Sequence, residues 1–260
     1  MSIQSPDFIT EYATNGIRRL KIVVVGAGGT GSALLGKLFQ LHNTLEALSI
    51  NGLDVIVYDD DVVTKSNLGR QSYYSFDLGK GKAECLVERF NAFGSVNWEY
   101  KNERFNEESL GSSYGGVVIF GCVDNVPSRQ AIHTAFANKK ECVWIDSGND
   151  ATSGNIIMAM SANVNKKHCY LPSVVDLYRE QIDGHIDNNK DSCSALDAIN
   201  KQAFGVNDMA AAQSIQLLWQ LIRHGNVDYQ GVSFDLKTGA TAPLQANKDT
   251  WAMYGYNPKH

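Results

Sequence analysis

The chain has 260 residues, 43% hydrophobic and 20% charged, sufficient to bury a core as one large domain or two small ones. Lys and Arg total 23 against 28 for Asp and Glu, and the net charge of -5 argues against an extended nucleic-acid footprint. No apolar run approaches the ~20 residues of a membrane span, and the 5 cysteines are widely spaced and never form C-x-x-C, which disfavours both a disulfide scaffold and the common structural zinc pattern.

The opening MSIQSPDFITEY lacks the basic-then-apolar order of a signal peptide, so a cytoplasmic protein with reduced thiols is expected. Leu20–Val25 (LKIVVV) is a short β-branched run ending in glycines, the pattern of a strand buried on both faces. Leu53–Tyr58, Val117–Phe120 and Cys142–Ile145 repeat that pattern, and helical character falls between them at Ser32–Gln40, Lys82–Phe93 and Ser128–Ala137. Strands alternating with helices require crossover connections, so the expected fold is α/β and Rossmann-like. It has a mostly parallel sheet, helices on both faces, and ligands beyond the carboxyl ends of the strands.

After Asn149 the pattern changes. Asn155–Ala162 reads as a further strand, and Asp183–Ser194, short of apolar residues, as a mobile loop. Met209–His224 is helical, with Asn207 and Asp208 as N-cap types and Gly225 as C-cap. Trp219, among Leu217, Leu218 and Leu221, is read as core or interface. Val232–Leu236 and Ala242–Gln245, parted by Lys237-Thr238-Gly239, predict a closing hairpin. No linker separates independent modules, so residues 1–260 are expected to form one domain.

The first strand runs into Gly26-Ala27-Gly28-Gly29-Thr30-Gly31-Ser32 and then a helix. Glycines allow a tight turn and close approach of backbone to phosphate, and a helix N-terminus offers free N–H groups and the positive dipole end. Gly26, Gly28, Gly29 and Gly31 are therefore candidate nucleotide-binding positions. Asp59, ending the second strand, is placed to accept hydrogen bonds from ribose hydroxyls. These features alone fit an NAD(P)-linked oxidoreductase equally well.

The next motifs separate the two readings. Ser66-Asn67-Leu68-Gly69-Arg70-Gln71, then Lys82, then Cys122-Val123-Asp124-Asn125 place two cations and a carboxylate near the nucleotide, which suits a triphosphate. Asp124, after the third strand, is a candidate Mg²⁺ ligand, since that ion takes one or two carboxylates plus phosphate oxygens. In order and spacing, GAGGTG, the aspartate after strand two, SNLGRQ, the lysine of GKGKAE, and CVDN with Arg129 resemble the ThiF/MoeB and ubiquitin-activating superfamily over about residues 20–160.

That resemblance implies ATP-dependent adenylylation of the C-terminal glycine carboxylate of a ubiquitin-like or sulfur-carrier protein, with release of pyrophosphate. It implies a ribose contact for Asp59, phosphate contacts for Asn67, Arg70 and Lys82, Mg²⁺ at Asp124, and Asn125 within the nucleotide site. Residues 20–150 would be the nucleotide-binding core, and 151–260 a carrier-docking and oligomerisation portion of a homodimer. LPSVVDLY, DSCSALDAINKQ and GVNDMAAAQSIQLLWQL are similar to the ThiF-family protein of plasmid-associated PRTRC systems.

Two departures stand out. The paired C-x-x-C motifs of several superfamily members are absent, and His168, Cys169, His185 and Cys193 have poor ligand spacing, so no structural zinc is expected. No arginine precedes Arg18, which puts the superfamily's N-terminal arginine in doubt. Cys193 stands where some relatives carry an acceptor thiol: it is either a thioester-forming catalytic residue beside Arg70, Lys82 and Asp124, or an ordinary loop thiol. Cys85, Cys122, Cys142 and Cys169 fall in or near core elements. The rival readings are the oxidoreductase and a catalytically silent scaffold that binds a ubiquitin-like tail.

Overall fold

The computed structural model describes residues 2–15, 18–111, 115–161, 170–179, 182 and 202–258. In chain order the elements are β1 (Ile3–Gln4), α1 (Asp7–Asn15), β2 (Leu20–Val25), α2 (Gly29–Ala47), β3 (Leu53–Tyr58), α3 (Lys82–Gly94), β4 (Glu99–Lys101), β5 (Val117–Gly121) and α4 (Val126–Ala137). They continue with β6 (Cys142–Asn149), β7 (Ser153–Met160), α5 (Val174–Leu177), α6 (Val206–His224), β8 (Asn226–Val227), β9 (Gly231–Asp235), β10 (Ala240–Leu244) and α7 (Lys248–Met253).

The apolar runs become the middle of one 8-stranded sheet in the order β10-β9-β7-β6-β5-β2-β3-β4. From β6 to β4 every pairing is parallel, while β7, β9 and β10 join antiparallel. Period-two alternation sorts the side chains of these strands to two cores. Ile22, Val24, Val55 and Phe120 share one with Leu34, Leu35 and Leu38 of α2, Leu86 of α3, and Leu217 and Leu221 of α6. Val23, Val25, Ile119 and Trp144 share the other with Ile132 and Phe136 of α4. Helices on both faces explain why these strands carry no polar stripe.

The chain crosses from β2 through α2 to β3 on one side, while β5 flanks β2 on the other. The strand order therefore reverses at β2, the place where open α/β sheets form a ligand crevice at their carboxyl ends. The strand ends are level there: Val25 lies opposite Tyr58 and Gly121. The Gly26 N–H donates to Tyr58 O and the Cys122 N–H to Val25 O, both at 2.8 Å.

Several elements differ from the sequence-based expectation, three of them near the carboxyl half of the sheet. β6 continues past Ile145 to Asn149 because it pairs with β7 from Val143↔Met160 to Asn149↔Gly154. The hairpin β9–β10 is not a free-standing closure, because β9 also pairs with β7 and extends the main sheet. α6 is capped by Gly205 at φ +88°, not by Asn207 or Asp208. Asn207 lies within the first turn and turns its carboxamide away, to Thr30 and Asn149. Gly225 does close α6, at φ +70°, and Trp219 packs partly buried against the core. The segment Asp183–Ser194 lies outside the described residues.

Candidate functional site

Three of the four loop glycines are required by close contacts, and the fourth leaves open space. Gly26 has φ +96°, and a Cβ there would stand 2.6 Å from Cys122 O. At Gly31 it would stand 2.0 Å from Gly26 O, and at Gly29 within 2.7 Å of the Asn207 carboxamide. At Gly28 it would meet nothing within 4 Å. Gly28 is also the N-cap of α2 and supplies no side chain to cap it. A 19-residue helix thus begins beside an open position at Gly28, and a helix N-terminus with space beside it is an arrangement that can receive phosphate.

Two side chains hold this loop. Asp59 Oδ2 accepts the Ala27 N–H at 2.6 Å and Oδ1 accepts the Asp61 N–H at 3.0 Å. The Tyr73 hydroxyl donates to Ala27 O at 2.6 Å. Burial pushes the Asp59 carboxyl above its ordinary value, opposed by the Ala27 N–H and by the charge of Lys82. Burial likewise raises the Tyr73 phenol. A carboxylate has about four lone-pair positions, so Asp59 keeps acceptor capacity after these two bonds.

The segment after β3 folds back on the loop, with the Ser72 N–H donating to Ser32 Oγ at 3.2 Å. Asn67 is buried, and its Oδ1 accepts from the Thr64 N–H at 2.8 Å and the Thr64 hydroxyl at 3.1 Å, closing the 3₁₀ turn Lys65–Asn67. Its carboxamide oxygen is therefore committed to the turn. Arg70 Nη1 donates to Gln202 Oε1 at 2.7 Å, and its Nε is buried with no partner among the described residues. Lys82 opens α3 with a buried side chain, and its Nζ donates to Asp61 Oδ2 at 2.6 Å.

Beyond β5, Asp124 is exposed, and Asn125 Nδ2 donates to its Oδ1 at 3.4 Å. Asn125 is the N-cap of α4, its Oδ1 accepting the Ser128 N–H at 2.9 Å. Arg129 Nε donates to Asp146 Oδ2 at 3.1 Å and Nη2 to Val123 O at 2.8 Å. Burial pushes the Asp146 carboxyl up, and Arg129 opposes it. Above this pair lies a pocket of about 310 Å³ whose walls include Asp124, Arg129, Asn149, Asp150, Ser153 and Asn155. Asp124 and Asp150 offer the hard oxygen donors that a divalent cation beside phosphates requires.

The structure thus brings Gly26–Gly31, Asp59, Asn67, Arg70 and Lys82 into one interlinked group, and places Asp124 and Asn125 after the adjoining strand β5. Cys193, Cys169, His168 and His185 lie outside the described residues. Cys85, Cys122 and Cys142 are free thiols, and burial raises all three. Among the described residues no cluster of three or more His, Cys, Asp or Glu side chains could hold a metal ion. Sequence reasoning missed Thr30, Asp61, Asn149, Gln202 and Asn207. Thr30 lies inside the glycine motif, Asp61 in the acidic run after β3 and Asn149 at the end of β6, whereas Gln202 and Asn207 carry no local signal of a site.

The model of the ThiF family matches residues 2–250. Ubiquitin-like modifier-activating enzyme 5 of Xenopus laevis is 27% identical over 176 residues, covering 61% of this chain and 42% of that protein. The Aedes aegypti enzyme of the same name is 27% identical over 213 residues, covering 75% and 49%. The chain therefore spans less than half the length of these curated relatives. The crystal structure of E. coli MccB with ATP superimposes with a TM-score of 0.60 at 15% identity, covering 91% of this chain and 66% of that one. The crystal structure of selenomethionine PaaA gives 0.59 at 16% identity, covering 92% and 67%. These two likenesses are of fold.

Proposed function

This chain belongs to the ThiF family, and from that premise we propose that it adenylylates the carboxyl terminus of a small partner protein. The observation that carries the reading is the clamped loop. Asp59 and Tyr73 hold Ala27 from both sides, while Gly28, with open space beside it, caps the N-terminus of α2. A loop held in this way is preorganised for phosphate, so no binding energy is lost in ordering it. The relatives named as ubiquitin-like modifier-activating enzymes, and the MccB structure with ATP, support ATP as the nucleotide.

In this reading Asp59 accepts from the ribose hydroxyls with its remaining lone pairs, and the α2 N-terminus holds phosphate oxygens. Arg70 and Lys82 neutralise phosphate charge, and Asn67 and Asn125 shape the site by fixing its turn and the start of α4. Lys82 must then exchange Asp61 for phosphate. Asp61 is 66% exposed, so water readily replaces the lysine. Asp124 is the residue to hold Mg²⁺, with Asp150 on the same pocket wall. Bound there, the ion would neutralise charge on the transferring phosphate.

The partner's terminal carboxylate attacks the α-phosphorus, an oxygen–phosphorus bond forms, and the bond to pyrophosphate breaks with its electron pair leaving on pyrophosphate. No general base is needed, because a carboxylate is already ionised near neutral pH. The polar pocket beside Asp124, bordered by Gly148 and Gly154, suits a narrow glycine-ended tail.

The finer assignments continue the same proposal. Residues 1–260 act as one adenylylation domain, cytoplasmic and homodimeric, on a ubiquitin-like partner of the kind found in PRTRC systems, and the Cys193 thiolate attacks the acyl carbon of the adenylate, forming a thioester as the acyl–oxygen bond breaks and AMP leaves. Among the described residues no helix is long and apolar enough to cross a membrane.

The test is ATP–pyrophosphate exchange with a glycine-terminated small protein encoded beside this chain. Lys82→Ala and Asp124→Ala are each expected to lower exchange at least about a hundredfold, the size of losing one preorganised charge contact. Normal exchange in both variants would overturn the site. Tight NAD binding without ATP binding would favour hydride transfer, and a reducible thioester surviving in Cys193→Ser would remove that thiol.

A further inference from the structure

Arg70 and Gln202 stand 132 positions apart in sequence, yet the guanidinium Nη1 donates to the amide oxygen at 2.7 Å. Gln202 does not act alone. Its Nε2 faces Asn149 Oδ1 at 3.5 Å, and Asn207 Nδ2 faces its Oε1 at 3.5 Å. Asn149 Nδ2 donates to Asn207 Oδ1 at 2.8 Å and to Thr30 Oγ1 at 3.0 Å, and the Thr30 hydroxyl donates to Asn207 Oδ1 at 3.0 Å. Thr30 and Asn207 are buried. This set of amides is therefore anchored on the first turn of α2, the turn that receives phosphate in the proposed function.

An arginine side chain has large rotamer freedom, and a guanidinium useful to a phosphate must be held before the ligand arrives. Gln202 takes one of its five N–H groups, and among the described residues no other partner holds the fork, with Nε buried and unpartnered. The chemistry of the partner matters as well. A glutamate would bind the guanidinium more strongly but would cancel the charge a triphosphate needs. An amide orients the cation and leaves its charge intact.

We infer that Gln202 is the positioning residue for Arg70, holding its guanidinium toward a triphosphate seated on the Gly26–Gly31 loop, with Asn149, Asn207 and Thr30 as the fixed base. The inference rests on the proposed ATP site. Gln202→Ala and Gln202→Glu are to be compared in the full chain by calorimetric titration with MgATP and by exchange kinetics. Alanine is expected to weaken MgATP binding about tenfold, the effect of one charge-assisted hydrogen bond, with kcat nearly unchanged. Glutamate, although nearly isosteric, is expected to weaken binding more than alanine does. A purely packing role predicts the opposite order.

In an Arg70→Ala background the Gln202→Ala change is expected to have no further effect on MgATP binding. Three results overturn the inference while leaving the ATP reading intact: wild-type affinity in both variants, glutamate binding better than alanine, or an undiminished Gln202→Ala effect without Arg70. Failure of the wild-type chain to bind MgATP overturns both and is read directly from the first titration. The near-isosteric glutamate variant keeps the comparison decisive if alanine impairs folding.

Discussion

Arg129→Met tests the charge pair beneath the pocket. Arg129 Nε lies 3.1 Å from Asp146 Oδ2, with side-chain exposures of 17% and 3%. The other carboxylate oxygen, Oδ1, is buried without a partner among the described residues. At 3.1 Å and an effective dielectric of ~20, the attraction is about 5 kcal/mol before desolvation is counted. Removing the guanidinium leaves a buried, uncompensated carboxylate, and losses of that kind are about 3–5 kcal/mol.

The pH dependence of that loss is the sharper test. Burial already raises the Asp146 pKa against the pull of Arg129, so the variant's carboxyl rises further. A raised folded pKa means that the folded chain binds the proton more tightly than the unfolded one. The associated stability is complete below the unfolded value, about 3.9, and is lost as pH rises through the folded value. The deficit of Arg129→Met relative to wild type therefore grows with pH between the two folded pKa values, by up to about 1.4 kcal/mol per unit. Urea unfolding of both proteins at several pH values between about 5 and 8 measures this slope. Adding Asp146→Asn to the variant is expected to recover at least ~2 kcal/mol, because it removes the stranded charge. A deficit under ~1 kcal/mol that is flat with pH and unrelieved by Asp146→Asn would refute the reasoning.

The loop glycines give a graded series. Gly26→Ala must place a Cβ 2.6 Å from Cys122 O at φ +96°, and Gly31→Ala one 2.0 Å from Gly26 O, so each is expected to cost at least ~2 kcal/mol in urea unfolding. Gly28→Ala meets nothing within 4 Å, so it should change stability by less than ~1 kcal/mol while weakening MgATP binding about tenfold or more. Wild-type affinity in Gly28→Ala would mean that phosphate does not occupy that space. Cys142 is fully buried and burial raises its thiol, which predicts that maleimide at mildly alkaline pH does not label it until denaturant is added. Rapid native labelling of Cys142 contradicts its burial.

What could be read from the chain is what neighbouring residues decide among themselves. Leu20–Val25 and Leu53–Tyr58 are strands with the bounds expected, because β-branched runs buried on both faces carry their own signal. α2 begins at Gly29 instead of Ser32 and runs to Ala47 instead of Gln40, and Leu41 and Leu45 in that extension are buried. The expectation stopped early because the helix continues through polar residues such as Asn43 and Thr44. α1 escaped notice because only Ile9 and Tyr12 of its 9 residues are buried, too few to establish a period. β4 has 3 residues, none of them buried, and exists by pairing with β3.

The site divides along the same line. Turn glycines and strand-end acids form motifs because the backbone geometry they serve is local. Arg70–Gln202 and Thr30–Asn207 span 132 and 177 positions, and single amides have no period or spacing to reveal them. They meet only because α6 packs across α2, burying Leu217 and Leu221 in the core shared with Leu34 and Leu38. That packing also changes the meaning of the glycine motif. Read along the chain, Gly28 and Gly29 are equivalent invitations to a phosphate. In the fold, the space beside Gly29 is filled by the Asn207 carboxamide, and the space beside Gly28 is open. Gly29 admits the Asn207 carboxamide, Gly28 leaves the space in which the proposed phosphate would sit, and only tertiary structure tells them apart.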